Sequence, residues 1–277
     1  MKRVYDLLII GAGFSGSVLA FSLVSNGYKG KIGIIENGRN FGGRSSSRIS
    51  LKNKGWILNH GSPNFNIENH DNKLLSEFLN QLLKKNLIRL DDSKVIEINN
   101  NLELSSCINN SFYKGKIYKA RTSIRNLLEE LVNEGEKLNK VDLFFNTLIK
   151  DLHFKNNKWL LFSENLEFHS KFIISSSNLI LHKRSIQILK KDKIPLREAI
   201  PEGADKKLDN IIDLLNNQDL IKRKNFLIYT NNLYKYKDSN LKNDIHFLFD
   251  KKAEKKFGIE RIIFQKQISQ RIGIVIH

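Results

Sequence analysis

Three glycines carry the first chemistry legible in this chain. They stand in the run Gly11-Ala12-Gly13-Phe14-Ser15-Gly16, directly after the apolar stretch Leu7-Leu8-Ile9-Ile10. Gly11 suits a tight turn out of a strand, Gly13 lets the backbone approach a pyrophosphate, and Gly16 lets the next helix lie close to the sheet. The N-terminus of that helix offers N–H groups and a partial positive charge to phosphates. Glu36 follows Gly16 by twenty residues. An acid at this place accepts hydrogen bonds from ribose hydroxyls, and its charge would repel the 2′-phosphate of NADP.

These residues need a strand, a helix and a second strand to position them. Leu7–Ile10 reads as a strand buried on both faces of a parallel sheet. Val18, Leu19, Leu23 and Val24 mark the buried stripe expected of the helix, with Ala20 keeping its contact small and Asn26-Gly27 ending it. Ile32–Ile35 is the second strand, ending on Glu36. Strand, glycine loop, helix, strand and acid agree on a dinucleotide-binding βαβ unit.

A second motif follows at once: Asn37-Gly38-Arg39-Asn40-Phe41-Gly42-Gly43-Arg44-Ser45-Ser46-Ser47-Arg48, and further on Asn59-His60-Gly61-Ser62-Pro63-Asn64-Phe65. Here the chain resembles the FAD-dependent amine oxidase superfamily, and within it the renalase-like proteins. The resemblance implies FAD as cofactor. It implies that Gly43 and Arg44 approach the phosphates, that Ser15 contacts the pyrophosphate, and that the Gly61-Ser62-Pro63 backbone runs against the flavin ring. Asn59 replaces the family's usual acid, and Pro63 its usual Gln. The resemblance extends to Tyr118–Val132 as a helix entered from an extended segment, with Thr122 or Ser123 as its cap. It also makes Val141–Leu152 the strand segment that meets the adenine at Ile149. Trp159–Phe162 and Phe168 then form a meander, and Lys171–Ser177 a strand returning to the nucleotide sheet.

Elsewhere Leu74, Leu75, Phe78, Leu79, Leu82 and Leu83 recur at helical spacing within 71–88, and a helix is expected over Leu208–Leu220. Four apolar runs, 226–229, 245–249, 260–265 and 272–276, predict an antiparallel sheet. The expected fold is α/β, a Rossmann-type FAD/NAD(P)-binding domain (1–66 and 118–183) interleaved with an antiparallel-sheet substrate domain (67–117 and 184–277). Superfamily members carry a late Gly-Asp segment that nothing here matches, so the C-terminal part of the FAD domain is expected to be absent.

Composition narrows the classes. The formal charge of +17 is spread along the chain without a long basic block; Lys222-Arg223-Lys224 is typical of its short clusters. That distribution reads as a solvated basic surface rather than a nucleic-acid interface. Cys107 is the one cysteine, which excludes a disulfide framework, and no His pair has zinc-ligand spacing. No stretch approaches about twenty apolar residues. A cytoplasmic protein with a small-molecule substrate, no metal, no nucleic-acid partner and no membrane partner is expected.

The function implied is hydride transfer from an amine or a reduced nicotinamide to FAD, with the flavin carrying the chemistry. No GxSxG elbow or side-chain triad is present, and no catalytic residue is assigned. An NAD-dependent dehydrogenase and a non-catalytic dinucleotide-binding remnant are the alternatives.

Overall fold

The computed structural model describes residues 2–50, 55–68, 71–106, 113–218, 224–230, 243–267 and 271–277. Cys107, the Lys222-Arg223 pair and Leu220 lie outside them. The chain folds as two compact units, Met1–Gly43 with Leu128–Ile221, and Arg44–Leu127 with Lys222–His277.

The first unit is built on a six-stranded sheet. Its strands are β1 (Lys2–Ile10), β2 (Ile32–Ile35), β3 (Val141–Phe144), β4 (Asp151–Lys155), β5 (Lys158–Phe162) and β6 (Glu167–Ser175). The order across the sheet is β3-β2-β1-β6-β5-β4. The first four are mutually parallel, with Leu7 opposite Ile32 on one side and Phe172 on the other. β5 and β4 continue as the antiparallel meander. β1 is longer than its apolar run because Lys2–Tyr5 also pair with Glu167–Ser170.

Helix α1 (Phe14–Ser25) joins β1 to β2. It buries Gly16, Ser17, Ala20 and Phe21, while Val18, Leu19, Leu23 and Val24 are only half-buried. The expected stripe is therefore displaced. Serines and apolar residues are spread round the helix, so periodicity does not select a face, and the close approach at Gly16 brings Ser17 and Ala20 inward with Phe21.

The core of this unit joins Leu8, Ile10, Ile35, Leu152, Leu161 and Phe168 to Ile194, Leu196 and Ile212. Phe168 is fully buried and packs edge-on against Phe144 at 5.0 Å. Those last three aliphatics explain why 184–221, placed by sequence in the substrate domain, pack with the first unit. The helix expected over Leu208–Leu220 runs Lys206–Asn216, capped by Asp205, whose carboxylate accepts from the Lys207 and Leu208 amides.

In the second unit a six-stranded sheet has the order Phe226–Thr230, Ile272–Ile276, Arg261–Lys266, Ile245–Phe249, Lys94–Ile98, Leu104–Ser105. The four expected strands are mutually antiparallel. Lys94–Ile98 adds to Ile245–Phe249 in parallel, so the complete sheet is mixed. A smaller sheet joins Phe65–Ile67, Lys116–Ala120 and Ile88–Leu90. Residues 44–66 belong here, because the hairpin Ser47–Ile49/Ile57–Asn59 packs Leu58 into a core with Ile263 and Val275. Helix Lys73–Lys84, capped by Asn72, buries Leu79 and Leu82 but leaves Leu74 exposed. Helix Ile124–Lys137 buries Leu127, Leu128, Leu131 and Val132.

Among the described residues no helix is long and apolar enough to cross a membrane. None of their His, Cys, Asp and Glu side chains form a group that could hold a metal ion.

Two substitutions test this packing. Phe168→Ala is expected to lower stability by about 3–5 kcal/mol, measured by denaturant unfolding. Gly16→Ala is expected to cost about 3 kcal/mol, because its new Cβ would lie 2.0 Å from the Gly11 carbonyl oxygen. Wild-type stability in Gly16→Ala would refute the close approach.

Candidate functional site

The glycine loop leaves the carboxyl end of β1, where flanking parallel strands open a crevice. Gly11 has φ +113, and a Cβ there would lie 2.6 Å from Ser176 Oγ. Its amide donates to Ile35 O at 2.8 Å. The Ser176 hydroxyl hydrogen-bonds the Gly11 carbonyl at 2.9 Å. Gly16 is equally constrained by the loop beneath it. Gly13 differs. Its φ is −77, and a Cβ there would meet nothing closer than Gly42 O at 3.9 Å. Packing within the protein thus accounts for Gly11 and Gly16 but does not demand a glycine at 13. The N-terminus of α1 has no side-chain cap, and no acidic residue stands in its first turn. Ser15 is exposed there, and Ala12 is buried beneath the loop.

Glu36 is held by two main-chain donors. Ala12 N–H donates to its Oε2 at 2.9 Å and Gly38 N–H to its Oε1 at 2.6 Å. Each oxygen retains acceptor capacity for a ribose hydroxyl. The Glu36 main chain is fixed as well, its amide to Phe144 O at 2.8 Å and its carbonyl to Thr147 N at 2.9 Å. Glu36 lines a narrow cleft with Gly11, Thr147, Ile149, Ser177 and Leu179. Ile149, 3% exposed, lies in the connection between β3 and β4 rather than within a strand.

The second glycine motif closes on the first. Gly42 has φ +123, its amide donates to Ala12 O at 3.1 Å, and it forms an isolated bridge with Gly13. Gly43, at φ +52, would bring a Cβ to 3.7 Å from Gly13 Cα. The Gly42 pairing, Thr147 and Ser177 escaped the sequence reading. The doubled glycine was the available signal.

The remaining expected site residues, Arg44, Gly61, Ser62 and Pro63, belong to the second unit. Arg44 is exposed. Gly61 fits only as glycine, because a Cβ would lie 2.3 Å from Arg44 O and 2.7 Å from Ser46 N. Its amide donates to Ser46 O at 3.1 Å. Ser62 Oγ donates to Asn64 O at 2.7 Å, and Pro63 is buried. Asn59, standing where the family has an acid, is structural. Its Oδ1 accepts from Ser47 Oγ at 2.6 Å and from the Ile124 amide that opens a helix. Of the two cap candidates, Ser123 acts, accepting from Asn126 N.

Buried ionic groups support this segment. Asn64 Nδ2 donates to Asp91 Oδ2 at 2.7 Å, and Lys119 Nζ lies 3.1 Å from Asp91 and 2.8 Å from Asp92. Burial pushes the Asp91 carboxyl up, but hydrogen bonds from Asn64 and Ser93 and the Lys119 charge outweigh it and hold it low. Nearby, the Tyr113 hydroxyl meets His246 Nδ1 at 2.6 Å. Burial drives His246 down to about 4 and Tyr113 up to about 12.

Residues 9–82 match the NAD(P)-binding Rossmann-like domain. Putrescine oxidase bound to putrescine superposes with a TM-score of 0.59 at 10% identity, over 100% of this chain and 76% of that one. A flavoprotein/dehydrogenase from Cytophaga hutchinsonii gives 0.53 at 14% identity, over 99% of this chain and 55% of that one. The fold is the one shared with putrescine oxidase and with this flavoprotein/dehydrogenase, and it opens on a Rossmann-like domain. In sequence, cholesterol oxidase of Mycobacterium tuberculosis is 46% identical over 50 residues, 18% of this chain and 8% of that enzyme. The stretch shared with this curated relative is thus a small part of its length. The glycine loop and Glu36 stand at the carboxyl ends of β1 and β2 in this sheet.

His246 makes folding pH-dependent. It stays neutral in the folded protein until pH falls to about 4 but takes up a proton near 6.5 when unfolded. Its contribution is complete above pH 6.5 and is lost as pH falls toward 4, by about 3 kcal/mol. His246→Gln, which keeps an acceptor but cannot titrate, is expected to flatten the stability profile between these pH values. An unchanged slope in urea titrations would remove His246 as its source.

Proposed function

We propose that this chain is a flavin-dependent oxidoreductase that binds FAD and oxidises a small molecule, either an amine or a reduced nicotinamide. The observation that carries the reading is Gly13. It is the loop glycine that packing within the protein does not require, and it opens a helix N-terminus that no side chain caps. A pyrophosphate supplies the missing reason, since it needs a bare Cα and donor N–H groups at that place.

The residues present fit the cofactor. Gly11–Gly16 would cradle the pyrophosphate, with Ser15 as a hydroxyl contact. Glu36 would accept from the ribose, oriented in advance by the Ala12 and Gly38 amides. Ile149 would bound the adenine with apolar surface. By family resemblance Arg44 would approach the phosphates and Gly61-Ser62-Pro63 would border the isoalloxazine ring. When bound, FAD supplies the hydride acceptor. The chain's own contribution is to bind, orient and exclude water, which accords with the lack of a GxSxG elbow. The match to an NAD(P)-binding model supports a nicotinamide-binding dehydrogenase as a second reading.

A visible spectrum of the purified protein, with and without added FAD, separates the readings. Flavin absorbance that stays with the protein through gel filtration is expected; a colourless protein that binds NAD instead would establish the second. Gly13→Ala is expected to leave unfolding unchanged yet weaken FAD binding. Glu36→Ala is expected to weaken it about tenfold, as loss of charged hydrogen bonds implies. Equal affinity in Glu36→Ala would refute the placement of the ribose.

A further inference from the structure

Among the described residues, the His60–Asn64 segment is strapped by residues distant in sequence as well as by its own turn. Asn225 Nδ2 donates to His60 O at 2.9 Å, Ser46 O accepts from the Gly61 amide, and Asp91 holds Asn64. The Gly61 carbonyl is taken by Arg261, whose Nη2 donates to it at 3.3 Å. Arg261 opens a sheet strand, and Leu248, its cross-strand partner, lies two residues from His246. The charge of the same guanidinium opposes the upward push that burial gives the Tyr113 phenol.

The polarity of this relay follows from burial. His246 is 1% exposed and burial keeps it neutral, so one of its two ring nitrogens carries a lone pair. With Nδ1 as the bare nitrogen, Tyr113 donates its proton there, and its phenolic oxygen keeps a lone pair for the Arg261 charge. A rotamer-rich arginine thus stands beside a buried aromatic pair and donates through Nη2 to a backbone carbonyl. An arginine used this way fixes the peptide plane between Gly61 and Ser62. At Gly61 that matters, because glycine imposes little conformational restraint of its own.

The geometry points to Arg261 as a positioning residue for the Gly61–Pro63 backbone, with Tyr113 and His246 as the buried pair that orients its guanidinium. The assignment rests on the flavin reading only for what the segment faces. The geometric claim stands without it.

Hydrogen–deuterium exchange on the full chain without added cofactor tests the claim. Exchange in the peptide covering Gly61–Asn64 should rise about tenfold in Arg261→Gln and less in Tyr113→Phe, since local opening sets that rate. Arg261→Lys, which keeps a donor, should recover most of the protection. Exchange at Ile272–Ile276 and the melting temperature should stay at their wild-type values. In FAD-loaded protein the same series should displace the visible flavin band in the same order. Unchanged exchange at Gly61–Asn64 in Arg261→Gln overturns the assignment. So does exchange that rises across the whole unit with a lowered melting temperature, which would mark Arg261 as a general stabiliser. Should Arg261→Gln fail to fold, Tyr113→Phe carries the same test, and wild-type exchange in that variant overturns the relay. A wild-type chain that ignores FAD removes the cofactor reading, and the exchange data still decide the role of Arg261.

Discussion

The first unit depends on how closely the backbone after β1 can approach its neighbours. Gly11 and Gly16 bring the strand end, the Ser176 hydroxyl and the first turn of α1 into a space where a single Cβ would strike backbone at 2.0 Å. That approach places α1 with its N-terminus over the crevice, sets Ala12 where its amide reaches Glu36, and lets Gly42 pair with Ala12. Loss of it would move the helix end, the acid and the second glycine motif together. The parallel core, with Leu8, Ile10, Ile35 and Phe168, supplies the rigidity against which this geometry is held.

The second unit solves a different problem. Its hairpin Ser47–Ile49/Ile57–Asn59 has an edge that must find partners. Gln265 Oε1 and Nε2 pair with the Asn59 amide and carbonyl at 2.9 and 2.8 Å, and Gln267 does the same for Ile57 at 2.9 Å each. Two side-chain amides thus stand in for a neighbouring strand. The His60–Asn64 segment continues from that hairpin, and its straps complete the scheme. Lys119 beneath it is buried among carboxylates that raise its affinity for a proton against the effect of burial. Removing one member of such a cluster leaves an uncompensated charge, which is why clusters of this kind hold a backbone in one place.

The βαβ opening was readable because its information is local. An apolar run, three glycines at fixed spacing and an acid at the next strand end lie within 36 residues, and each constrains the backbone directly. The four late strands were readable for the same reason. The face that α1 buries was not, since its serines and apolar residues follow no helical period, and packing space decided among them. The boundary near residue 184 was misplaced because Ile194, Leu196 and Ile212 show that they are apolar but not which sheet they cover.

Local sequence is enough to specify the βαβ opening: its strand, glycine loop, helix and the acid at the second strand's end. The folded chain alone reveals that packing does not demand a glycine at 13 and that Asn59 ties its hairpin to the first amide of a helix. It alone decided that Gln265, Gln267 and Arg261 grip a segment some 200 positions earlier. The physical reason is range. Backbone conformation and apolar periodicity are set by near neighbours, whereas the partner of a buried donor is set by strand register, which no local pattern encodes.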